Sequence, residues 1–133
     1  MLKRLFLLIM MSFFFFLGGC DEYALLEQYQ LDVEVADWIP VPENFSVSSS
    51  GSRNISINWS YPDTSLIDGF RIARMDTAGG STIIADEGQL GSNETSYVDT
   101  GLAPNVWYIY YMYAVSGTYR SYATEPKSGF SNP

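Results

Sequence analysis

The residues that could carry out acid-base chemistry in this sequence are carboxylates, because it contains no histidine. Lys127 is the only lysine beyond the first few residues. Two pairs of acids stand out, Asp63 with Asp68 and Asp86 with Glu87, and each lies in or beside a predicted turn. Carboxylates at turns commonly accept hydrogen bonds from nearby backbone amides, whereas general acid-base catalysis most often uses histidine. The sequence therefore predicts capping carboxylates and no enzyme.

Metal or cofactor binding has equally little support in the residue types present. Zinc sites use cysteine and histidine, and the sequence has one cysteine and no histidine. Calcium loops alternate oxygen ligands along a short segment, and neither acid pair has that spacing. We therefore expect no metal and no cofactor. The single cysteine also excludes an internal disulfide, so that the fold depends on packing.

The overall charge restricts the class of partner. The chain carries 15 acidic and 7 basic residues, which is a formal net charge of −8 at pH 7. Binding to a phosphate backbone depends on lysine and arginine, so the sequence predicts no nucleic-acid partner. Tyrosine is abundant, with ten residues, and this favours β structure.

The only cysteine, Cys20, follows a segment with the layout of a secretory signal peptide. Lys3 and Arg4 precede an apolar run, which is followed by two glycines. This order of basic, apolar and small residues is typical of such peptides. The run Leu5–Leu17 has thirteen residues, whereas a helix needs about 20 to cross a bilayer.

The sequence LGGC, at residues 17–20, resembles the lipobox of bacterial lipoproteins. The resemblance implies that residues 1–19 are cleaved and that Cys20 carries acyl chains such as palmitate. Two or more chains would hold the protein stably on the extracytoplasmic side of a membrane in the cell envelope. Asp21 resembles the signal that retains such proteins at the inner membrane, which implies its periplasmic face. The alternative is that Cys20 follows an ordinary signal peptide or a short anchor helix by chance.

An acidic segment, residues 20–40, lies between the leader and the predicted domain. Asp21–Ile39 contains six acids and no basic residue, a composition that a small core buries poorly. We predict a flexible tether that acts as a spacer, in which Glu22–Gln30 could form one short helix. The predicted domain then covers residues 41–133.

Beyond Val41, short runs of alternating apolar and polar residues are separated by turn-forming residues. The clearest run is NISINWS, in which Ile55, Ile57 and Trp59 share one face. A period of two residues is that of a β-strand, and many short strands separated by turns indicate a sandwich. Further strands are predicted in FRIARM, STIIAD, ETSYVDT and WYIYYMYAV. The predicted fold class is therefore all-β, with about seven strands.

Several of these runs together resemble a fibronectin type III domain, which is an immunoglobulin-like sandwich. The features that carry the resemblance are Pro42, Trp59 and the runs DGFRIAR, TSYVDTGLAP and WYIYYMYAV. Leu102, Pro104 and Tyr108 have the spacing of the family's turn before its sixth strand. The resemblance implies that Tyr108 is a corner tyrosine whose hydroxyl bonds to the backbone a few residues upstream.

The last part of the chain fits the family in two ways. If SYATEPKSG is the final strand, Lys127 and Gly129 stand where branched apolar residues are usual. If SGFSNP begins that strand, it ends early and leaves an edge of the sixth strand open. Because Lys127 and Gly129 break the apolar alternation, we predict that Tyr119–Glu125 pairs with the sixth strand and that the chain is frayed from Lys127 onward.

An outward-facing row on the sixth strand is the candidate functional surface. The alternation in WYIYYMYAV directs Tyr110 inward and Trp107, Ile109, Tyr111 and Tyr113 outward. Exposed patches of this kind often mark contact surfaces, and the predicted binding residues are Trp107, Tyr111 and Tyr113. The function predicted is that of a non-catalytic, membrane-anchored envelope lipoprotein that binds another protein. The alternative is a domain that binds envelope glycan or serves as a structural spacer.

Overall fold

The computed structural model describes residues 34–133, which form two β-sheets packed face to face. The strands are β1 (Glu34–Val35), β2 (Glu43–Ser49), β3 (Ile55–Ser60), β4 (Gly69–Met75), β5 (Ser81–Ala85), β6 (Ser96–Asp99), β7 (Val106–Ser116), β8 (Tyr119–Arg120) and β9 (Lys127–Ser131). Seven of them have four or more residues, so the predicted all-β sandwich is confirmed. The other regular element in this range is a 3-10 turn at Thr64–Leu66. No helix in residues 34–133 is long and apolar enough to cross a membrane.

The larger sheet is organised around β7. Its strand order is β1-β8-β7-β4-β5, and β9 also pairs with β7, whereas the smaller sheet has the order β2-β3-β6. β4 pairs with one side of β7, from Gly69 opposite Val115 to Met75 opposite Ile109. β8 and β9 pair with the other side, at opposite ends of β7. The central position of β7 follows from its length of eleven residues, which is enough for three partners.

The core lies between the sheets and follows the predicted alternation. Ile55 and Ile57 are fully buried and Trp59 is 4% exposed. On β4, Phe70 is buried, and the rings of Trp59 and Tyr61 pack edge-on against it with centroids 5.4 Å away. Alternate residues of β7 complete the core, and these are Tyr108, Tyr110, Met112 and Ala114.

The corner tyrosine is present as the family resemblance implies. The Tyr108 hydroxyl accepts a hydrogen bond from the Ala103 backbone amide at 3.2 Å. Leu102 is buried beside it, and its carbonyl accepts a hydrogen bond of 2.6 Å from the Arg53 guanidinium. These bonds tie the turn before β7 to the rest of the sandwich.

Glu34–Ile39 packs on the sandwich, although its composition suggested a tether. β1 pairs in parallel with β8, and Ala36 and Ile39 are buried, with Ile39 only 2% exposed. The acids Glu34 and Asp37 remain exposed, so the segment buries its apolar side chains and leaves its charges in solvent. The packed unit thus begins before the predicted start at residue 41. The leader, Cys20 and the predicted helix Glu22–Gln30 lie outside the described residues.

The prediction that Tyr119–Glu125 pairs with β7 is confirmed, but the prediction that the chain is frayed from Lys127 onward is wrong. Lys127–Ser131 is β9 and pairs with Val106–Tyr110 of β7, whereas only Tyr119–Arg120 of the predicted strand is regular. Gly129 faces inward, where a Cβ would lie 2.8 Å from Cγ1 of Val47 on the other sheet. The sheets approach so closely here that the inward position requires glycine. The strand therefore lacks the apolar alternation by which strands are recognised.

The segment between β8 and β9 is joined to β7 by hydroxyl groups. The Ser121 amide donates to the Ala114 carbonyl at 2.9 Å, and its hydroxyl accepts from the Ala114 amide at 3.0 Å. Thr124 bonds to Met112 in the same two ways, at 2.8 and 3.1 Å. The two hydroxyl groups thus accept the hydrogen bonds from β7 amides that backbone carbonyls would accept in a regular neighbouring strand. The open edge considered from the sequence therefore does not occur along β7.

Candidate functional site

The outer face of the six-stranded sheet carries the predicted row of β7. Its four residues, Trp107, Ile109, Tyr111 and Tyr113, alternate with the buried positions and point away from the core. Trp107 is 58% exposed and Ile109 is 40% exposed, whereas Tyr111 and Tyr113 are half-buried. The row thus has an open end near the start of β7 and a covered end farther along it.

The open end consists of Trp107, Ile109 and Phe130, and is called the apolar end below. Trp107 and Phe130 lie opposite each other in the pairing of β7 with β9, with ring centroids 5.2 Å apart. Ile109 lies between Met75 of β4 and Ser128 of β9. The sequence did not indicate Phe130, because β9 was predicted to be frayed. Three large apolar side chains are therefore held together on rigid strands at the surface.

The covered end makes contacts within the domain. The Tyr111 hydroxyl is hydrogen-bonded to the Ser81 hydroxyl at 2.9 Å. The Arg120 guanidinium lies over the ring of Tyr113, 4.9 Å from its centroid, an arrangement that stabilises by about 0.5–1 kcal/mol at exposed sites. Tyr111 and Tyr113 are therefore less available to a ligand than Trp107, although all three face outward as predicted.

Arg71, opposite Tyr113 on β4, forms a two-point ion pair with Glu87. Its Nε and Nη2 atoms donate to the Glu87 carboxylate at 2.5 and 2.6 Å. This hydrogen bonding holds the pKa of Glu87 below its ordinary value and raises the pKa of Arg71. Glu87 is therefore an ionised structural partner of Arg71, in a poor state to act as a general acid.

The other acids singled out from the sequence cap backbone amides, as expected for turn residues. Asp63 accepts hydrogen bonds from the Ser65 hydroxyl and amide at 2.6 and 3.0 Å, and these lower the pKa of Asp63. Asp68 accepts from the Gly117 amide at 2.7 Å. Asp86 caps the turn that follows it at 3.0 Å. In residues 34–133 no three acidic, cysteine or histidine residues are grouped so that they could hold a metal ion.

A buried polar cluster that the sequence did not indicate joins the two sheets. Asp99 of β6 is 5% exposed and accepts a hydrogen bond of 2.9 Å from the Tyr110 hydroxyl of β7. Arg74 of β4 donates to both Asp99 oxygens, at 2.8 and 3.0 Å. Burial, followed by the nearby Asp99 charge, raises the pKa of Tyr110. The cluster fastens β6 to β4 and β7 and is a structural feature.

A second group of exposed aromatic residues lies at the opposite end of β7. Tyr119 stands opposite Ser116, nine positions along β7 from Trp107, which is about 30 Å in a β-strand. Its ring is edge-on to Trp38, with centroids 6.1 Å apart. We call this group the β1 rim. Its members are Trp38, Tyr119 and Tyr122, and their exposed fractions range from 41% to 57%.

Comparisons with known proteins agree with this geometry. The family model for the fibronectin type III domain matches residues 40–129. A myokine structure has a TM-score of 0.60 at 19% identity, covering 71% of this chain and 99% of its own. An Fn3-like protein from Clostridium thermocellum has a TM-score of 0.55 at 22% identity, covering 68% and 91%. A two-domain segment of chicken tenascin has a TM-score of 0.60 at 21% identity, covering 69% and 49%. No curated protein sequence matches the chain.

Proposed function

The chain belongs to the fibronectin type III family, and on that premise we propose a membrane-anchored lipoprotein of the bacterial cell envelope whose domain binds another protein. Acylated Cys20 is the anchor, supported by the leader and by the lipobox resemblance of LGGC. The protein lies on the extracytoplasmic side, at the periplasmic face of the inner membrane if Asp21 acts as a retention signal. The domain is non-catalytic, in keeping with the capping and ion-pair roles of its acids.

The observation that carries the binding role is the exposure of Trp107, at 58%, on a rigid central strand. Aromatic residues are enriched among the residues that contribute most to protein interfaces. Phe130 and Ile109 extend the surface around Trp107. Its polar border is formed by Tyr111, which is hydrogen-bonded to Ser81, and by Tyr113, which lies under the Arg120 guanidinium. An apolar centre with a polar border is the usual anatomy of a protein contact site.

Photo-crosslinking in intact cells tests this surface. A photoreactive amino acid at Ile109, which is 40% exposed beside Trp107, should give a discrete protein adduct. The matched control is Val98, which is 47% exposed on β6 of the other sheet and should give none. Adding Trp107→Ala should reduce the Ile109 adduct by about 30-fold if Trp107 contributes about 2 kcal/mol to binding. Equal adducts from both positions would contradict the proposal.

A glycan partner or a purely spacing role is the alternative. It has less support because the Tyr113 face and the Tyr111 hydroxyl, which would contact a sugar, are already in contact with Arg120 and Ser81. Binding to a glycan array that is lost in Tyr111→Ala and Tyr113→Ala, without a protein adduct at Ile109, would favour the glycan. The absence of both signals would leave the spacing role.

The anchor has a separate test, because lipid transfer to sulfur requires the cysteine nucleophile. Cys20→Ser should abolish labelling by a fatty-acid probe and block normal cleavage of the leader. Trp107→Ala, which leaves the anchor intact, should be labelled and cleaved like the wild type. Unchanged labelling of Cys20→Ser would show that the lipobox resemblance is misleading.

A further inference from the structure

We infer that the β1 rim is a membrane-contact surface, which rests on the headgroup region of a zwitterionic bilayer while the apolar end of β7 remains free for a partner. This inference rests on the proposed acylation of Cys20. It concerns three side chains that neither the core nor the candidate interface uses.

The first argument is the chemistry of the rim. Trp38 is 56% exposed, and Tyr122 and Tyr119 are 57% and 41% exposed. Each has an apolar ring with a polar edge, and such residues concentrate where a bilayer meets water. Hydrogen bonding to the side chain of Asp37, the neighbour of Trp38 in the chain, raises the pKa of Tyr122. Trp38 and Tyr119 are in edge-on contact, with ring centroids 6.1 Å apart, and form the centre of the rim.

The second argument is where the chain enters the domain. β1 begins at Glu34, whose partner in β8 is Tyr119 of the rim. Residues 21–33, thirteen in number, separate Cys20 from this point. No chain of that length extends beyond about 45 Å. Anchoring at Cys20 therefore holds the rim at high effective concentration near the bilayer.

The third argument decides which lipid the rim suits. Glu34 and Asp37 border the rim and are exposed, while Arg120, the cation nearest to it in sequence, is stacked on Tyr113. Anionic headgroups would repel these carboxylates, since exposed charges interact strongly within a Debye length of about 8–10 Å. A zwitterionic surface has no such repulsion and still accepts aromatic side chains.

The geometry also separates the two exposed surfaces. Trp107 and Ser116, the partner of Tyr119, are nine positions apart on β7, a distance of roughly 30 Å along a strand. Contact of the rim with lipid headgroups therefore leaves the apolar end of β7 accessible. A lipid-anchored binding domain gains from this arrangement, because its partner surface is held away from the bilayer.

Tryptophan fluorescence of the full acylated chain tests the inference. The chain contains three tryptophans, of which Trp59 is buried, while Trp38 and Trp107 are 56% and 58% exposed and form a matched pair. In phosphatidylcholine vesicles whose acyl chains are brominated near the headgroups, emission should be quenched in the wild type and in Trp107→Phe. The quenching should be lost in Trp38→Phe. Replacing part of the lipid by phosphatidylglycerol should weaken it.

The outcomes separate this inference from the proposed anchor. Flotation of the wild type with the vesicles, together with the loss of fatty-acid labelling in Cys20→Ser, supports the anchor. Flotation with the same quenching in Trp38→Phe as in the wild type overturns the rim but not the anchor. Failure of the wild type to float overturns both. Far-UV circular dichroism of Trp38→Phe should match the wild type, because this side chain is exposed.

Discussion

Replacing Trp59 by alanine should lower the free energy of unfolding by about 3–5 kcal/mol. The indole is 4% exposed and packs edge-on against Phe70, with ring centroids 5.4 Å apart. Its removal leaves a cavity between two sheets whose strands are held by ladder hydrogen bonds and cannot close around it. Since domains of this size have a total stability of about 5–15 kcal/mol, the variant should be close to unfolding at ambient temperature.

Urea denaturation followed by circular dichroism measures this loss. Trp107→Ala removes the same side chain from an exposed position and should cost less than about 1 kcal/mol. Trp59→Phe should fall between the two, because it keeps an aromatic contact with Phe70. It also removes an indole N–H that has no hydrogen-bond partner in residues 34–133. Similar losses in Trp59→Ala and Trp107→Ala would contradict the packing described above.

Replacing Asp99 by alanine should lower the free energy of unfolding by about 3 kcal/mol, as expected when one partner of a buried ion pair is removed. The substitution leaves the fully buried Tyr110 hydroxyl without its acceptor. It also leaves Arg74 without a counterion, although the partly exposed guanidinium can regain water. The unsatisfied hydroxyl is the larger part of the cost, because it has no access to solvent.

Glu87→Ala is the matched control for Asp99→Ala, since both changes remove the carboxylate of an arginine pair. Side-chain exposure is 27% for Glu87 and 7% for Asp99. Pairs at the surface contribute about 0–1 kcal/mol, so Glu87→Ala should shift the urea midpoint only slightly. Tyr110→Phe, which removes one hydrogen bond to Asp99, should cost about 1 kcal/mol. Equal midpoints for Asp99→Ala and Glu87→Ala would show that the buried cluster does not join the sheets.

Where the two faces of a strand differ in polarity, the sequence by itself determined the position of the strand and which of its faces is inward. Ile55, Ile57 and Trp59 were assigned to the core because side chains on a strand alternate between its faces. This is a property of a few consecutive residues and needs no knowledge of neighbouring elements. The corner role of Tyr108 was implied by the resemblance to the fibronectin type III family and was confirmed by the bond to Ala103.

Only the tertiary structure decided the features that depend on how closely distant segments approach. β9 escaped prediction because its inward position, Gly129, is set by the proximity of Val47 on the other sheet. Asp99 and Arg74 are 25 residues apart, and their pairing depends on two strands from different sheets. Trp38 was assigned to a tether because acids surround it in sequence, whereas the fold buries Ile39 beside it and leaves the ring at the surface. Local polarity indicates which face of a strand is inward, but the distance between the two facing sheets is a property of the assembled sandwich.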